Sequence, residues 1–204
     1  LVEIGKDPDL KDFPRQKAVL ALLKVALAEG RAYAERKLLA GAPGVETAAT
    51  LCRVQDTIIQ VLYDYTTSFP YRASTDVKGE RIGIVAVGGY GRGLLAPGSD
   101  VDILFLLPYK QTPWGESVVE YMLYILWDLG RKVGHATRTV DDCIKQALAD
   151  LPIRNTLLDS RHLWGDGGLF DELNIRLANE VVEANDSSLF IAAKLAERSP
   201  RHHR

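Results

Sequence analysis

The most informative stretch of the sequence is Gly88-Gly-Tyr-Gly-Arg-Gly-Leu-Leu-Ala-Pro-Gly-Ser-Asp-Val-Asp102. Short runs of apolar, β-branched residues flank it, and they predict two buried strands, Arg81–Val87 and Asp100–Leu107. Its glycines predict a tight connection, because glycine adopts backbone conformations that other residues avoid. The stretch therefore predicts two consecutive strands joined by a glycine-rich loop.

Two common glycine-rich loops do not match this stretch. A dinucleotide-binding fingerprint has the spacing Gly-x-Gly-x-x-Gly and opens a helix. Here the glycines follow the spacing Gly89-x-Gly91-x-Gly93, and the loop leads into a strand. A phosphate-binding loop requires Lys and Ser/Thr after its last glycine, whereas Ser99 and Asp100 follow Gly98. Both interpretations are excluded.

Two aspartates follow the glycines. Side chains alternate along a strand, so Asp100 and Asp102 are predicted to lie on one face with Cα atoms about 7 Å apart. Two carboxylates that converge from one face can share Mg²⁺, a hard cation that prefers oxygen ligands. The pair is therefore a candidate magnesium site.

Groups that can bind phosphate surround these aspartates in the sequence. The backbone N–H groups of Gly88 and Gly89 can approach phosphate oxygens closely, since no Cβ blocks them. Ser99 adds a hydroxyl donor and Arg92 adds a planar cation that pairs with phosphate. Together with paired carboxylates, these groups predict phosphoryl or nucleotidyl transfer, in which catalysis is mainly positioning and charge neutralisation.

The sequence around the two strands predicts helices and further strands. Apolar residues at helical spacing predict a hairpin of two helices, at 14–40 and 45–67, after a loop at 1–13. Beyond Asp102 the pattern predicts a helix at 114–132, a strand at 133–139, a helix to about 149, a helix at 152–161 and a last helix after Gly168. The expected fold is α/β (α+β), a short mixed sheet flanked by helices with the hairpin alongside.

Composition bounds the function classes. The 204 residues carry 25 Lys and Arg against 27 Asp and Glu, a net charge of −2 that argues against nucleic-acid and anionic-membrane partners. The two cysteines, Cys52 and Cys143, do not form a disulfide framework and fit a reducing compartment. No apolar run is long enough to span a bilayer, and no signal peptide is evident. The expected location is the cytoplasm.

The glycine-rich stretch also resembles a known motif. It is similar to the nucleotidyltransferase motif of the polymerase β-like superfamily, in the version found in bacterial bifunctional uridylyltransferase/uridylyl-removing enzymes. The segments Tyr121–Gly130, Val133–Thr139 and Leu157–Arg161 resemble the same family. The resemblance covers the chain from about Val45 onward, and it implies a polymerase β-like nucleotidyltransferase fold.

The resemblance implies a specific reaction. UMP is transferred from UTP to a tyrosine hydroxyl of the PII nitrogen-signalling protein, and pyrophosphate is released. Asp100 and Asp102 would hold Mg²⁺, and Gly88, Gly89 and Ser99 would contact the phosphates. Low glutamine is the usual signal that favours uridylylation in this family.

One departure from the superfamily concerns the proton acceptor. The superfamily usually supplies a third acid from the next strand, but the segment Val133–Thr139 has no carboxylate. Asp159 is a candidate substitute, although the favoured interpretation of this residue is an acid on a helix surface. Arg138 either points into the cleft or forms a structural salt bridge. Without a third acid, one motif aspartate or the metal has to help deprotonate the tyrosine.

The expected organisation has three parts. Residues 1–70 form a helical region, 71–185 the nucleotidyltransferase domain and 186–204 the start of a following helical or linker segment. The chain is expected to be a fragment without the hydrolase and glutamine-sensing domains of the family, because none of its four histidines is followed by Asp. Two other hypotheses remain: a nucleotidyltransferase with another nucleotide or acceptor, and a non-catalytic nucleotide-binding or docking module.

Overall fold

The computed structural model describes residues 1–72 and 79–182. Its first part is helical, with α1 at Val2–Lys6, α2 at Asp12–Leu39 and α3 at Gly44–Ser68. Helices α2 and α3 pack against each other, and Gly41 turns the chain between them with φ of 92°. The predicted hairpin is confirmed. The predicted loop at 1–13 was wrong, because α1 forms there and Asp12 already lies in the first turn of α2.

The remaining elements are four strands with helices between them and after the last strand. In chain order they are β1 (Gly83–Ala86), α4 (Gly88–Gly91), β2 (Val101–Leu107), α5 (Pro113–Asp128), β3 (Val133–Thr139), α6 (Val140–Ala149), α7 (Leu151–Leu158), β4 (Arg161–Gly165), α8 (Gly167–Arg176) and a π-helical segment (Leu177–Val182). The strands form one sheet in the order β3-β2-β1-β4. Only the β2–β3 pair is parallel. The predicted mixed sheet flanked by helices is confirmed.

The two faces of the sheet are buried against different helices. Ile84, Ile103 and Phe105 pack on the same side as apolar residues of α2, α3 and α5. On the other side Val85 and Leu104 pack against residues of α6, α7 and α8. Continuous burial of β1 and most of β2 explains why both read as unbroken apolar runs in the sequence.

Several boundaries differ from the sequence-based prediction. Helix α5 ends at Asp128 rather than at Lys132, because Gly130 reverses the chain with φ of 71°. Strand β2 begins at Val101, so Asp100 lies one residue before it. The predicted helix at 152–161 stops at Leu158, since Arg161 pairs with Ala86 and starts β4.

Helix α6 begins with a capping box. The side chain of Thr139 accepts from the backbone N–H of Asp142, and the Asp142 carboxylate accepts from the backbone N–H of Thr139. This capping box satisfies two groups that a helix start otherwise leaves unpaired. Within the described residues, no helix is long and apolar enough to cross a membrane.

The proposed division at residues 70 and 185 stays a prediction. The third predicted segment, 186–204, lies outside the described residues, as does the stretch 73–78 within the predicted boundary between the first two segments.

Candidate active site

The glycine-rich motif begins with a turn that only glycine adopts easily. Gly88 is separated from the end of β1 only by Val87 and has φ of 57°, a left-handed conformation that strains other residues. The next residues form the short helix α4, which ends at Gly91. A Cβ at Gly91 would overlap the backbone carbonyl oxygen of Asp159. The motif therefore needs glycine at its first position for the turn and at Gly91 for close packing against the end of α7.

Strand β2 places the two aspartates at the mouth of a cleft. Asp102 is half-buried on β2, opposite Gly134 of the parallel strand β3, and Asp100 is exposed just before the strand. Burial raises the pKa of the Asp102 carboxyl, and the nearby charge of Asp100 raises it further. This mutual repulsion is what a shared cation would relieve.

The cleft brings together five of the six predicted metal- and phosphate-binding residues. It has a volume of about 460 Å³ and is lined by Gly89, Arg92, Ser99, Asp100 and Asp102, among others. The sixth residue, Gly88, does not line it, although a Cβ built there would lie 3.9 Å from Oδ2 of Asp102. The geometry thus presents two carboxylates beside a cation, a hydroxyl and a backbone turn, which is a donor set for a metal-bound phosphate chain.

A second cavity of about 420 Å³ opens on the sheet surface next to this cleft. It is lined by Asp102 and Gly134 at one end and by Arg138, Ile153 and Thr156 beyond them. Among the residues that the structure describes, Asp102 is the one that lines both spaces. A molecule in the second cavity would therefore meet a molecule in the cleft at the Asp102 carboxylate.

Strand register places Arg138 on the face of the sheet that bears Asp102. Asp102 pairs with Gly134 and Leu106 with Arg138, so the side chains of these paired residues share one face. His135 points the other way and lies 6.2 Å from the Trp127 ring, measured between ring centroids. Among the described residues, Arg138 has no carboxylate within 4.0 Å. Arg138 therefore lines the sheet-surface cavity rather than the cleft, and its functional role stays a prediction.

Asp159 does not take the place of a third metal-binding acid. It caps α7 and forms an ion pair with Arg92, with Oδ2 2.8 Å from Nη1. It lines neither the cleft nor the sheet-surface cavity. Both side chains are well exposed, at 60% for Arg92 and 39% for Asp159, so the pair contributes little stability. Arg92 can therefore exchange Asp159 for a phosphate oxygen at small cost.

The position opposite Asp102 on β3 has no room for a third carboxylate. The residue there is Gly134, and a Cβ built on it would overlap Oδ1 of Asp102. The carboxylate thus leans over the glycine. Within residues 1–72 and 79–182, no cluster of three or more His, Cys, Asp and Glu side chains is placed to hold a metal. A metal in this site would rest on two protein carboxylates together with substrate oxygens.

A polar network that no sequence pattern indicates holds the motif in place. The carboxylate of Asp56 on α3 accepts a hydrogen bond of 2.6 Å from the Tyr90 hydroxyl in α4. It also accepts from Nη1 and Nη2 of Arg161 on β4, at 2.9 and 3.1 Å. The Arg161 guanidinium lies 5.7 Å from the centre of the Tyr90 ring. One carboxylate therefore ties the motif helix to the hairpin and to the edge strand, and no local pattern in the sequence links residues so far apart.

Comparison with known proteins agrees with this geometry. Residues 72–161 match a family model described as a nucleotidyltransferase domain. The chain is 53% identical over 187 residues, 92% of its length, to a protein of Rhodopseudomonas palustris named bifunctional uridylyltransferase/uridylyl-removing enzyme. Proteins of the same name from Phenylobacterium zucineum and a Bradyrhizobium species are 51% and 53% identical over 95% and 92% of the chain. In each case the chain spans about 20% of the length of the curated relative.

Proposed function

We propose that this chain is the uridylyltransferase part of a bifunctional uridylyltransferase/uridylyl-removing enzyme, the name borne by the relatives of which it spans about a fifth, and that it performs uridylyl transfer. The proposed reaction is the Mg²⁺-dependent transfer of UMP from UTP to a tyrosine hydroxyl of the PII protein, with release of pyrophosphate. One observation carries the proposal. Asp100 and Asp102 line a single cleft together with Gly89, Arg92 and Ser99.

Each lining residue has a defined task in this proposal. Gly89 presents an unobstructed backbone to the phosphates, Ser99 a hydroxyl and Arg92 a bidentate cation. Asp100 and Asp102 would hold Mg²⁺, since both are hard oxygen donors whose mutual repulsion a cation relieves. When bound, the metal supplies charge neutralisation for the triphosphate.

The acceptor is proposed to enter through the sheet-surface cavity. Ile153 and Ala136 line it with apolar surface suited to a phenol ring, and Arg138 offers a cation to an acidic or phenolate oxygen. The acceptor hydroxyl would then meet the α-phosphate at Asp102, which lines both spaces. In this arrangement Asp102 is the carboxylate placed to orient the hydroxyl and to receive its proton.

The test is a calorimetric titration of this chain with UTP, ATP, GTP and CTP, each with and without Mg²⁺. A Mg²⁺-dependent preference for UTP, followed by transfer of label from UTP to added PII, is the expected result. Equal binding of all four nucleotides would favour a nucleotidyltransferase of other specificity. Mg²⁺-dependent binding of UTP without any transfer would instead favour a non-catalytic nucleotide-binding module.

Gly134→Ala is expected to slow transfer about 10- to 100-fold without lowering the stability of the fold. The added Cβ has to displace the Asp102 carboxylate, and small misplacements of a reacting group have effects of this size. The clash is with the end of a side chain rather than with backbone, so the free energy of unfolding should change little. Initial rates with labelled UTP and a urea denaturation curve measure the two effects.

The matched control for this variant is Gly44→Ala. Gly44 lies at the start of α3, and a Cβ there meets nothing within 4 Å. The same methyl group should leave the transfer rate unchanged. A wild-type rate in Gly134→Ala would mean that the Asp102 carboxylate need not lie where the structure has it.

A further inference from the structure

A cavity on the other side of the motif loop has no task in the proposed transfer reaction. It has a volume of about 620 Å³ and lies between α2, the start of α3, the loop at 97–99 and the turn at 130–132. Of the described residues, Ser99 alone lines both this cavity and the nucleotide cleft. The loop before Asp100 thus separates two distinct spaces.

The lining of this loop-side cavity is rich in positive charge. Arg31, Arg131 and Lys132 line it, and Glu35 is the one acidic residue among the described residues that line it. In the part of the chain that the structure describes, none of these three cations has a carboxylate within 4.0 Å. The cavity therefore holds a local excess of positive charge in a protein whose net charge is −2.

Arg131 is the most unusual of these residues, because it is buried. It is 8% exposed, and the hydrogen bond found for its guanidinium is a long one of 3.4 Å, from Nη2 to the Ser99 carbonyl. Its Nε is buried without a partner among the described residues. Burial lowers the pKa of Arg131, and the positive charge of Arg31 lowers it further. A buried cation next to a like charge is unfavourable unless an anion compensates it.

A second buried polar group at the same cavity also lacks a partner. Thr47, in the first turn of α3, is 7% exposed, and no described residue accepts from or donates to its hydroxyl. It lines the loop-side cavity, where the N-terminal end of this 25-residue helix adds partial positive charge. Buried polar groups in native proteins are normally satisfied, so two unsatisfied groups at one cavity point to a missing ligand.

We propose that the loop-side cavity binds a small organic anion bearing a phosphate or carboxylate group. Its charged group lies against Arg31, Arg131 and Lys132. Its apolar part lies on Leu38 and Leu51, which also line the cavity. The site is separate from the nucleotide cleft, and its existence does not depend on uridylyl transfer.

The experiment is a calorimetric titration of this chain with inorganic phosphate and with citrate, at low ionic strength and without nucleotide. Arg31→Met and Arg131→Met are each expected to weaken binding of a probe about tenfold or more, since each removes a charge-assisted contact. Arg36→Met is the matched control, because Arg36 is exposed on the same helix and does not line the cavity. It should leave the affinity within about twofold of the wild type, since a single exposed charge contributes little.

A further variant distinguishes this site from the nucleotide cleft. Arg92→Met should leave probe binding unchanged if the anion occupies the loop-side cavity. Loss of binding in Arg92→Met together with unchanged binding in Arg31→Met would overturn the proposal, as would no binding of either probe to the wild type. Arg31 is exposed, so Arg31→Met decides the question even if Arg131→Met does not fold.

Discussion

Replacing Asp100 and Asp102 together by asparagine is expected to lower the rate of nucleotidyl transfer by at least about a thousandfold. Both carboxylates line the cleft, and the described residues supply no third acid there that could take over. Asparagine keeps the shape of each side chain but removes the charge that holds a divalent cation. Initial rates with labelled UTP and PII measure the effect.

The same substitutions should not destabilise the fold. Burial and the charge of Asp100 raise the pKa of Asp102, so the folded state disfavours its ionised form. Such a group contributes stability while it is protonated at low pH and loses that contribution as the pH rises through its pKa in the folded protein. At neutral pH the neutral Asp102→Asn variant should therefore unfold at a urea concentration no lower than the wild type does.

Asp128→Asn is the matched control for the two aspartates. Asp128 is exposed at the end of α5 and lines neither the cleft nor the sheet-surface cavity. Its replacement should leave the transfer rate unchanged. Transfer at more than about a tenth of the wild-type rate in the double aspartate variant would remove the two residues from the catalytic role proposed for them.

Local sequence patterns were sufficient to predict most of the helices and strands. The strands before and after the glycine-rich motif are buried on both faces. Both strands are therefore continuous apolar runs in the sequence, which made them predictable. Helices α2 and α3 showed the apolar spacing expected of packed helices. Gly89, Arg92, Ser99, Asp100 and Asp102 line one cleft because all of them lie within a single strand-turn-strand unit, and their roles at a metal or phosphate stay a prediction.

Features that depend on distant partners were not accessible from the sequence. Arg161 reads as the end of a helix, yet pairing with β1 makes it the start of β4. Asp159 was a candidate metal ligand, but its distance to Arg92 makes it an ion-pair partner. The loop expected at the start of the chain is partly helical as α1, which packs against α2. In each case tertiary contacts decide what local propensity leaves open.

The network around Asp56 leads to the second large expected effect. Asp56→Ala is expected to lower the free energy of unfolding by about 3 kcal/mol. The substitution leaves the Arg161 guanidinium and the Tyr90 hydroxyl without their hydrogen-bond acceptor. Tyr90 is only 1% exposed, so water cannot replace the lost bond. Urea denaturation at pH 7, followed by circular dichroism, measures the change.

Asp64→Ala is the matched control on the same helix. Asp64 also bonds to a residue of β4, accepting from Trp164 Nε1 at 2.6 Å, but it is exposed. Its loss should cost less than about 1 kcal/mol, since water can take its place. If Asp56→Ala and Asp64→Ala destabilise the protein equally, then Asp56 is no more than a surface hydrogen-bond acceptor.

A double variant identifies the cause of the Asp56 effect. Adding Arg161→Met to Asp56→Ala removes the guanidinium that has lost its carboxylate, so part of the lost stability should return. The buried Tyr90 hydroxyl remains unpaired in both variants, which means that recovery reports on the charge alone. Because Tyr90 lies in α4, between residues proposed to contact phosphate, loosening it should also weaken Mg²⁺-dependent nucleotide binding. Full nucleotide affinity in a destabilised Asp56→Ala protein would separate the stability of the network from the geometry of the cleft.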